Sequence, residues 1–288
     1  MSPSATNSTV HAAPARPTPH LGKAVRRAVA SELIKLRTLR SQVWLLVTAF
    51  LFTLVMGPVQ ALGQVIADSQ PAGPADDEAA VAAAHSAAEA VMLALTGTST
   101  ATLLLGVTGV LLVTGEYLPR SVRTTFMLVP RRTLVVAAKA FAGGLVVAGT
   151  SVVAVAVAVS VSLALLAHAD VHAGWESPQV LRIAAATVWY LVGWVVLGQA
   201  AGWIARSKIG GSALLLLVML VLSPVLSLIP GRGGEVVVAL TPSSVGAAMV
   251  SPYDADALIG PGVGFGLWSA YLAGLMAIAA WLTVKRDA

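Results

Sequence analysis

The side chains that most resemble a reactive pair are His168 and His172, which stand four residues apart. This spacing places two imidazoles on one face of a helix, where they can bind a metal ion. No glutamate lies between them in the position of a general base, and the pair falls where the chain leaves an apolar segment. We therefore predict no metal site at this pair.

Other catalytic devices are missing from the sequence. It has no GxxxxGK motif followed by Ser or Thr, so the chain does not hydrolyse ATP with a phosphate-binding loop of that kind. It has no cysteine, which excludes thiolate chemistry and disulfides. The glycine run GPGVGFG at 260–266 opens an apolar segment and follows no strand, so helix packing is the better interpretation. We expect a chain that is not an enzyme and binds no cofactor itself.

The composition is that of an integral membrane protein. Hydrophobic residues make up 57% and charged residues 11% of the 288 residues, against about 25% charged residues in globular domains. The mean hydropathy is +0.84. We expect an all-α fold, because helices satisfy every backbone hydrogen bond inside the lipid.

Six segments have the length and apolarity to cross a bilayer, which takes about 20 helical residues. Within their predicted bounds, the cores of these segments carry no ionisable side chain. This argues against an intramembrane protease and against a proton-coupled transporter. They form a membrane domain over 43–288, after a disordered tail at 1–20 and an amphipathic helix at 21–42. The predicted spans are residues 43–66, 91–114, 140–167, 183–205, 212–229 and 263–284.

The distribution of basic residues predicts the orientation. Of the 18 Lys and Arg residues, all except Arg182 and Arg232 fall on one side of the predicted spans. Basic residues favour the cytoplasmic side, so we expect a multi-pass protein of the cell membrane with both termini in the cytoplasm. The net charge of +5 is then a consequence of topology and does not indicate nucleic acid.

The segment 21–42 has the pattern of a helix that lies along the bilayer surface. Its apolar residues form one stripe, and Lys35 and Arg37 are among its basic residues. Glu32 falls inside the apolar stripe. It either pairs with Lys35 three residues later or forms a salt bridge to another helix or subunit.

The segment 115–139 is the only long polar, charge-bearing segment of the sequence between two very apolar ones. Pro119 and Pro130 enclose ten residues, and proline is favoured at the start of a helix and disfavoured inside one. A short helix over 120–129 would place Val122, Phe126 and Val129 on one apolar stripe. Such a helix either docks on a cytoplasmic partner or lies on the lipid headgroups.

Two sets of small residues suggest close helix contacts. Gly198 and Gly202 lie in the fourth predicted span, while Gly262, Gly266 and Gly274 lie along the sixth. Each set serves either packing within the chain or contact with another subunit. The long outer connection before the sixth span contains EVVVAL and SSVGAAMV, which predict a pair of short helices.

Two stretches resemble a known family. SELIKLRTLRSQVWLL at 31–46 and GVLLVTGEYLPRSVRTTFMLVPRRTLVVAAKA at 109–140 are similar to segments of actinobacterial ABC-2 type transporter permeases. The resemblance implies an exporter subunit that pairs with a second permease copy and with separate ABC ATPase subunits, which bind ATP and Mg. It also implies that the helix over 120–129 couples to the ATPase. The coupling residues would be Glu116, Arg120, Ser121, Val122, Arg123, Phe126, Val129 and Arg131.

Two functions are compatible with these observations. The chain is either the permease subunit of an ABC-type exporter or a membrane anchor or sensor that binds a cytoplasmic partner without transport. Hydroxyl side chains at 96–102 and Gln199 in the fourth span would suit an amphiphilic or hydrophobic cargo.

Overall fold

The computed structural model describes residues 30, 40–68, 91–92, 94–115, 132–167, 174–252 and 257–286. Over these residues all regular structure is helical, which confirms the expected all-α class. The helices are α1 Arg40–Asp68, α2 Thr98–Thr114, α3 Arg132–Leu166, α4 Pro178–Ala205, α5 Lys208–Leu216, α6 Leu222–Leu226, α7 Arg232–Ala239, α8 Pro242–Val250 and α9 Pro261–Arg286, with a π-helical turn Leu217–Val221 joining α5 to α6.

Five helical stretches are long and apolar enough to cross a membrane, as expected of a multi-pass membrane protein. They are Arg40–Gly63, Val136–Leu165, Pro178–Ala205, Lys208–Leu226 and Pro261–Lys285. The bent pair α7 and α8 counts as a sixth if it is taken as one span.

Helix α2 lies where the second span was predicted, but it is short. It has 17 residues, or about 25 Å at 1.5 Å per residue. Residues 95–97 form a turn before it. The described residues of the predicted span 91–114 therefore include a turn as well as a helix.

Helices α2 and α4 form the centre of the bundle. In the apolar part of α4, 56% of the residues are buried, against 11% in the helix Lys208–Leu226. Helices α1 and α3 pack on each other and on this pair, while α9 packs mainly on α4 and α8. The helix Lys208–Leu226 is therefore the most peripheral of the candidate spans.

The ends of five helices lie together at one end of the bundle. Val113 at the end of α2, Val136 near the start of α3, Trp203 near the end of α4 and Ala279 in the second half of α9 form one buried cluster. Helix α5 starts at the same end, because the chain reverses after α4 through Arg206, which has a φ of 51°. This arrangement agrees with spans that cross in alternating directions.

Helices α7 and α8 form the pair of short helices expected from the sequence, with a bend of 75° between them. Thr241 caps α8, and Pro242 occupies its first turn. Proline is favoured there because a backbone N–H in the first turn has no helical acceptor. The guanidinium of Arg182 on α4 donates to the carbonyl oxygens of Met249 (3.3 Å) and Ser251 (2.7 Å) at the other end of α8. Arg182 thus satisfies carbonyls that the helix end leaves without partners.

Candidate functional site

A buried polar contact joins the ends of α2 and α3. Lys139 is 2% exposed, and its Nζ donates to the carbonyl oxygen of Leu112 at 3.1 Å. Leu112 lies in the last turn of α2, where carbonyls lack helical partners and the helix dipole favours a cation. The contact therefore stabilises both the helix end and the buried ammonium group.

Helix α4 joins the same contact through Gln199. This side chain is fully buried, and its Nε2 donates to the backbone oxygen of Lys139 at 3.2 Å. Gly143 makes room for it, because a side chain there would collide with the Gln199 amide. We call Leu112, Lys139 and Gln199 the helix-end junction. Gln199 therefore contacts neighbouring helices. A cargo-binding role would require it to face an open path, and it does not.

The helix-end junction lies near the beginning of the third apolar stretch. The third span was predicted to begin at residue 140, but α3 begins at Arg132 and the apolar stretch Val136–Leu165 includes Lys139. The sequence signal was a single lysine inside an otherwise apolar run. It was interpreted as a flanking basic residue that sets topology.

The predicted coupling residues, Glu116 to Arg131, lie outside the described residues, as do Glu32, Lys35 and Arg37 of the predicted surface helix. The described chain nevertheless borders the coupling segment closely on both sides. Helix α2 ends at Thr114 and α3 begins at Arg132. The helix-end junction therefore ties together the two helices that carry this segment.

The two glycine sets have different surroundings. A side chain at Gly198 would run into the backbone carbonyl of Gly106, and one at Gly109 into that of Val195, so α2 and α4 pack backbone to backbone. Gly202 lies against Val110 and Val113 of α2. By contrast, a Cβ at Gly262, Gly266 or Gly274 would meet no atom of the described chain within 4 Å.

Aromatic side chains fill the contact between α4 and α9. The ring centroids of Trp194 and Trp268 are 5.6 Å apart, and Tyr190 lies 6.0 Å from Trp194 and 5.3 Å from Trp268. Gly193 allows this approach, because a side chain there would collide with the Trp268 ring. Trp194 therefore packs between helices, and it also lines a cavity.

This cavity, which we call the α4–α9 cavity, has a volume of about 460 Å³. It lies between α4, the helix Lys208–Leu226 and α9, and it is partly open. Its walls include Ala200 and Ala201 on α4, Val218 and Leu222 opposite them, and Tyr271 and Leu275 on α9.

The described residues contain no group of three or more side chains able to hold a metal ion. His168 and His172 lie outside the described residues. The site features that the structure does bring together are therefore the helix-end junction and the α4–α9 cavity, one polar and one apolar.

Comparison of the chain with protein-family models and with curated proteins finds no match.

Proposed function

We propose that this chain is the transmembrane permease subunit of an ABC-type exporter, which moves a substrate out across the cell membrane using ATP hydrolysed on a separate subunit. The observation that carries the proposal is the helix-end junction. It links the helices on both sides of the coupling segment to each other and to α4.

The physical argument concerns transmission of a motion. ATP binding can shift a permease between states only through contacts that differ between those states. A partner that moves the coupling segment would pull on the end of α2 and the start of α3. Because Lys139 and Gln199 fix these ends to α4, the movement would pass to the centre of the bundle.

The proposal includes two kinds of partner. ABC ATPase subunits would bind the segment 116–131 and carry the ATP and Mg. A second permease copy, identical or paired, would pack on the face formed by Gly262, Gly266 and Gly274, which is exposed on α9. Small residues four apart allow two helices to approach closely in a bilayer. Both termini would lie in the cytoplasm, with the surface helix on the bilayer.

The test is co-purification with an ATPase subunit encoded beside this chain, in lipid nanodiscs. We expect Phe126→Asp to reduce both the amount of bound ATPase and the ATP hydrolysis rate by at least tenfold, because a charge would replace the centre of the apolar stripe. Thr124→Asp adds the same charge away from the stripe and should leave both quantities within twofold of the unmodified chain.

Failure to bind any ATPase, or equal effects of the two aspartate variants, would contradict the proposal. Binding of an ATPase without ATP-dependent movement of material in sealed vesicles would instead favour the anchor or sensor.

A further inference from the structure

The α4–α9 cavity offers little to a polar occupant. Among its lining side chains only Trp194 and Tyr271 carry polar atoms, and the Tyr271 hydroxyl already donates to the backbone oxygen of Leu240 at 2.6 Å. A buried water needs two to four polar partners. An empty cavity would leave its lining atoms without dispersion contacts on one side. The chemistry of the lining therefore favours an apolar occupant.

The helix that closes the cavity faces hydrocarbon on its other side. Leu217, Leu220 and Val225 are 51%, 59% and 53% exposed, whereas Val218 and Leu222 line the cavity. Since Lys208–Leu226 is one of the candidate spans, the material beside it at this depth is acyl chain. The cavity is partly open, and Val218 and Leu222 of this helix form part of its wall.

At one end of the cavity the lining residues are Leu222, Pro242 and Tyr271, and only Tyr271 has a hydroxyl group. At the opposite end Ile204 and Leu214 offer only alkyl groups. Between these ends, along Ala200 and Ala201, the lining is apolar and suits an acyl chain.

We propose that the α4–α9 cavity binds one acyl chain of a bilayer phospholipid. A volume of about 460 Å³ falls in the range of small-molecule sites, roughly 300–1,000 Å³. The site would exist in a transporter and in an anchor alike, so it does not depend on the proposed function.

The first test uses native mass spectrometry on the full chain, reconstituted with palmitoyl-oleoyl phosphatidylglycerol and an equal amount of palmitic acid, then released into detergent. We expect one tightly retained phospholipid per chain. Ala200→Phe fills the cavity and should reduce retention at least tenfold. Ala277→Phe makes the same change on the exposed face of α9 and should retain the lipid as the unmodified chain does.

A second measurement needs no cavity-filling variant. Trp194 is 1% exposed and Trp268 is fully buried, but only Trp194 lines the cavity. With phosphatidylglycerol brominated in mid-chain, Trp194→Phe should lower the fraction of tryptophan emission that the bromine quenches. Trp268→Phe should not lower it.

Retention of palmitic acid alone, no retained lipid, or equal retention by Ala200→Phe and the unmodified chain would overturn the proposal. If Ala200→Phe does not fold, the quenching experiment decides: an equal change in Trp194→Phe and Trp268→Phe overturns it.

Discussion

At the scale of single residues, Lys139 carries an ammonium group on a side chain that is only 2% exposed. An ammonium group removed from water must be compensated by hydrogen bonds or by opposite charge. The last carbonyls of α2 supply part of this compensation through Leu112. The same bond satisfies a carbonyl that the end of α2 leaves without a helical partner. The burial of a lysine at this position therefore depends on α2 ending close to Leu112, whose carbonyl oxygen accepts its hydrogen bond.

This dependence predicts the effect of removing the ammonium group. In Lys139→Met the ends of α2 and α3 lose their connection, so the distance between them should become more variable. Because the chain has no cysteine, spin labels can be placed at residues 115 and 132 without further changes. Pulsed electron resonance should then give a distance distribution at least twice as broad as that of the unmodified chain.

Two control variants accompany this experiment. Lys139→Arg keeps a donor at the junction and should give a narrower distribution than Lys139→Met. Lys285→Met removes an exposed ammonium group, 4.8 Å from the centre of the Trp281 ring, and should leave the distribution unchanged. An equally narrow distribution in Lys139→Met would show that the contact does not hold the two helices together.

The sequence could not predict the helix-end junction, although it contains both polar residues. Gln199 was recognised as a polar residue of the fourth span, and Lys139 as a basic residue beside the third. Their contact depends on the close approach of three helix ends, separated by 27 and 60 positions in the chain. Periodicity reports which face of one helix is apolar, but not which carbonyl a side chain on another helix reaches.

At the scale of helices, the π-helical turn Leu217–Val221 has a local cause. Pro224 has no N–H to donate to the carbonyl of Leu220, four residues earlier, and its ring crowds that carbonyl. The wider π turn just before it accommodates the proline, with the Leu222 N–H bonded to the Leu217 carbonyl. Val218, in this turn, lines the α4–α9 cavity. The irregularity thus helps to shape the cavity wall.

The glycines of α2 and α4 give a prediction at this scale. Gly198→Ala should destabilise the bundle by about 1–3 kcal/mol, because the new methyl group meets the Gly106 carbonyl in a fully packed contact. Gly149→Ala places the same methyl group on an exposed face of α3, where a Cβ would meet no described atom within 4 Å, and should not destabilise the bundle, because alanine favours a helix more than glycine does.

The measurement for this pair is reversible unfolding in mixed micelles, followed by tryptophan fluorescence. Equal stabilities of the two variants would mean that α2 and α4 do not approach each other as closely as the structure indicates.

The helices themselves were largely predictable. Apolar length alone located the long helices, and the Gly and Pro breaks around EVVVAL and SSVGAAMV predicted the two short ones. The turn at residues 95–97 was not predicted, because LTG has no proline and lies within a segment long enough to be one span. It is fixed by packing: a side chain at Gly97 would collide with the Phe52 carbonyl of α1.

At the scale of the whole molecule, α2 and α4 pack tightly at the centre of the bundle, whereas one face of α9 is exposed. Tight packing at the centre uses glycines of α2 and α4, whereas Gly262, Gly266 and Gly274 of α9 face outwards. Small residues allow two helices to approach closely in a bilayer, so an exposed set of them is a candidate contact for another helix. This contrast is what favours a second permease copy in our proposal.

The corresponding prediction concerns oligomeric state. Gly266→Leu should weaken self-association of the chain in nanodiscs or liposomes by at least tenfold, measured by energy transfer between labelled chains. Gly149→Leu is the matched control, because Gly149 is also exposed and a Cβ there would meet no described atom within 4 Å. Equal self-association of the two variants would place the contact between copies elsewhere.

The α4–α9 cavity also gives the molecule a mechanical property. Proteins yield to hydrostatic pressure in proportion to the internal volume that a rearrangement eliminates. If the cavity of about 460 Å³ is unfilled, an inward movement of the peripheral helix Lys208–Leu226 shrinks the protein, and compression favours that movement. An occupied cavity resists this inward movement. The compressibility of the chain therefore reports whether the α4–α9 cavity is filled.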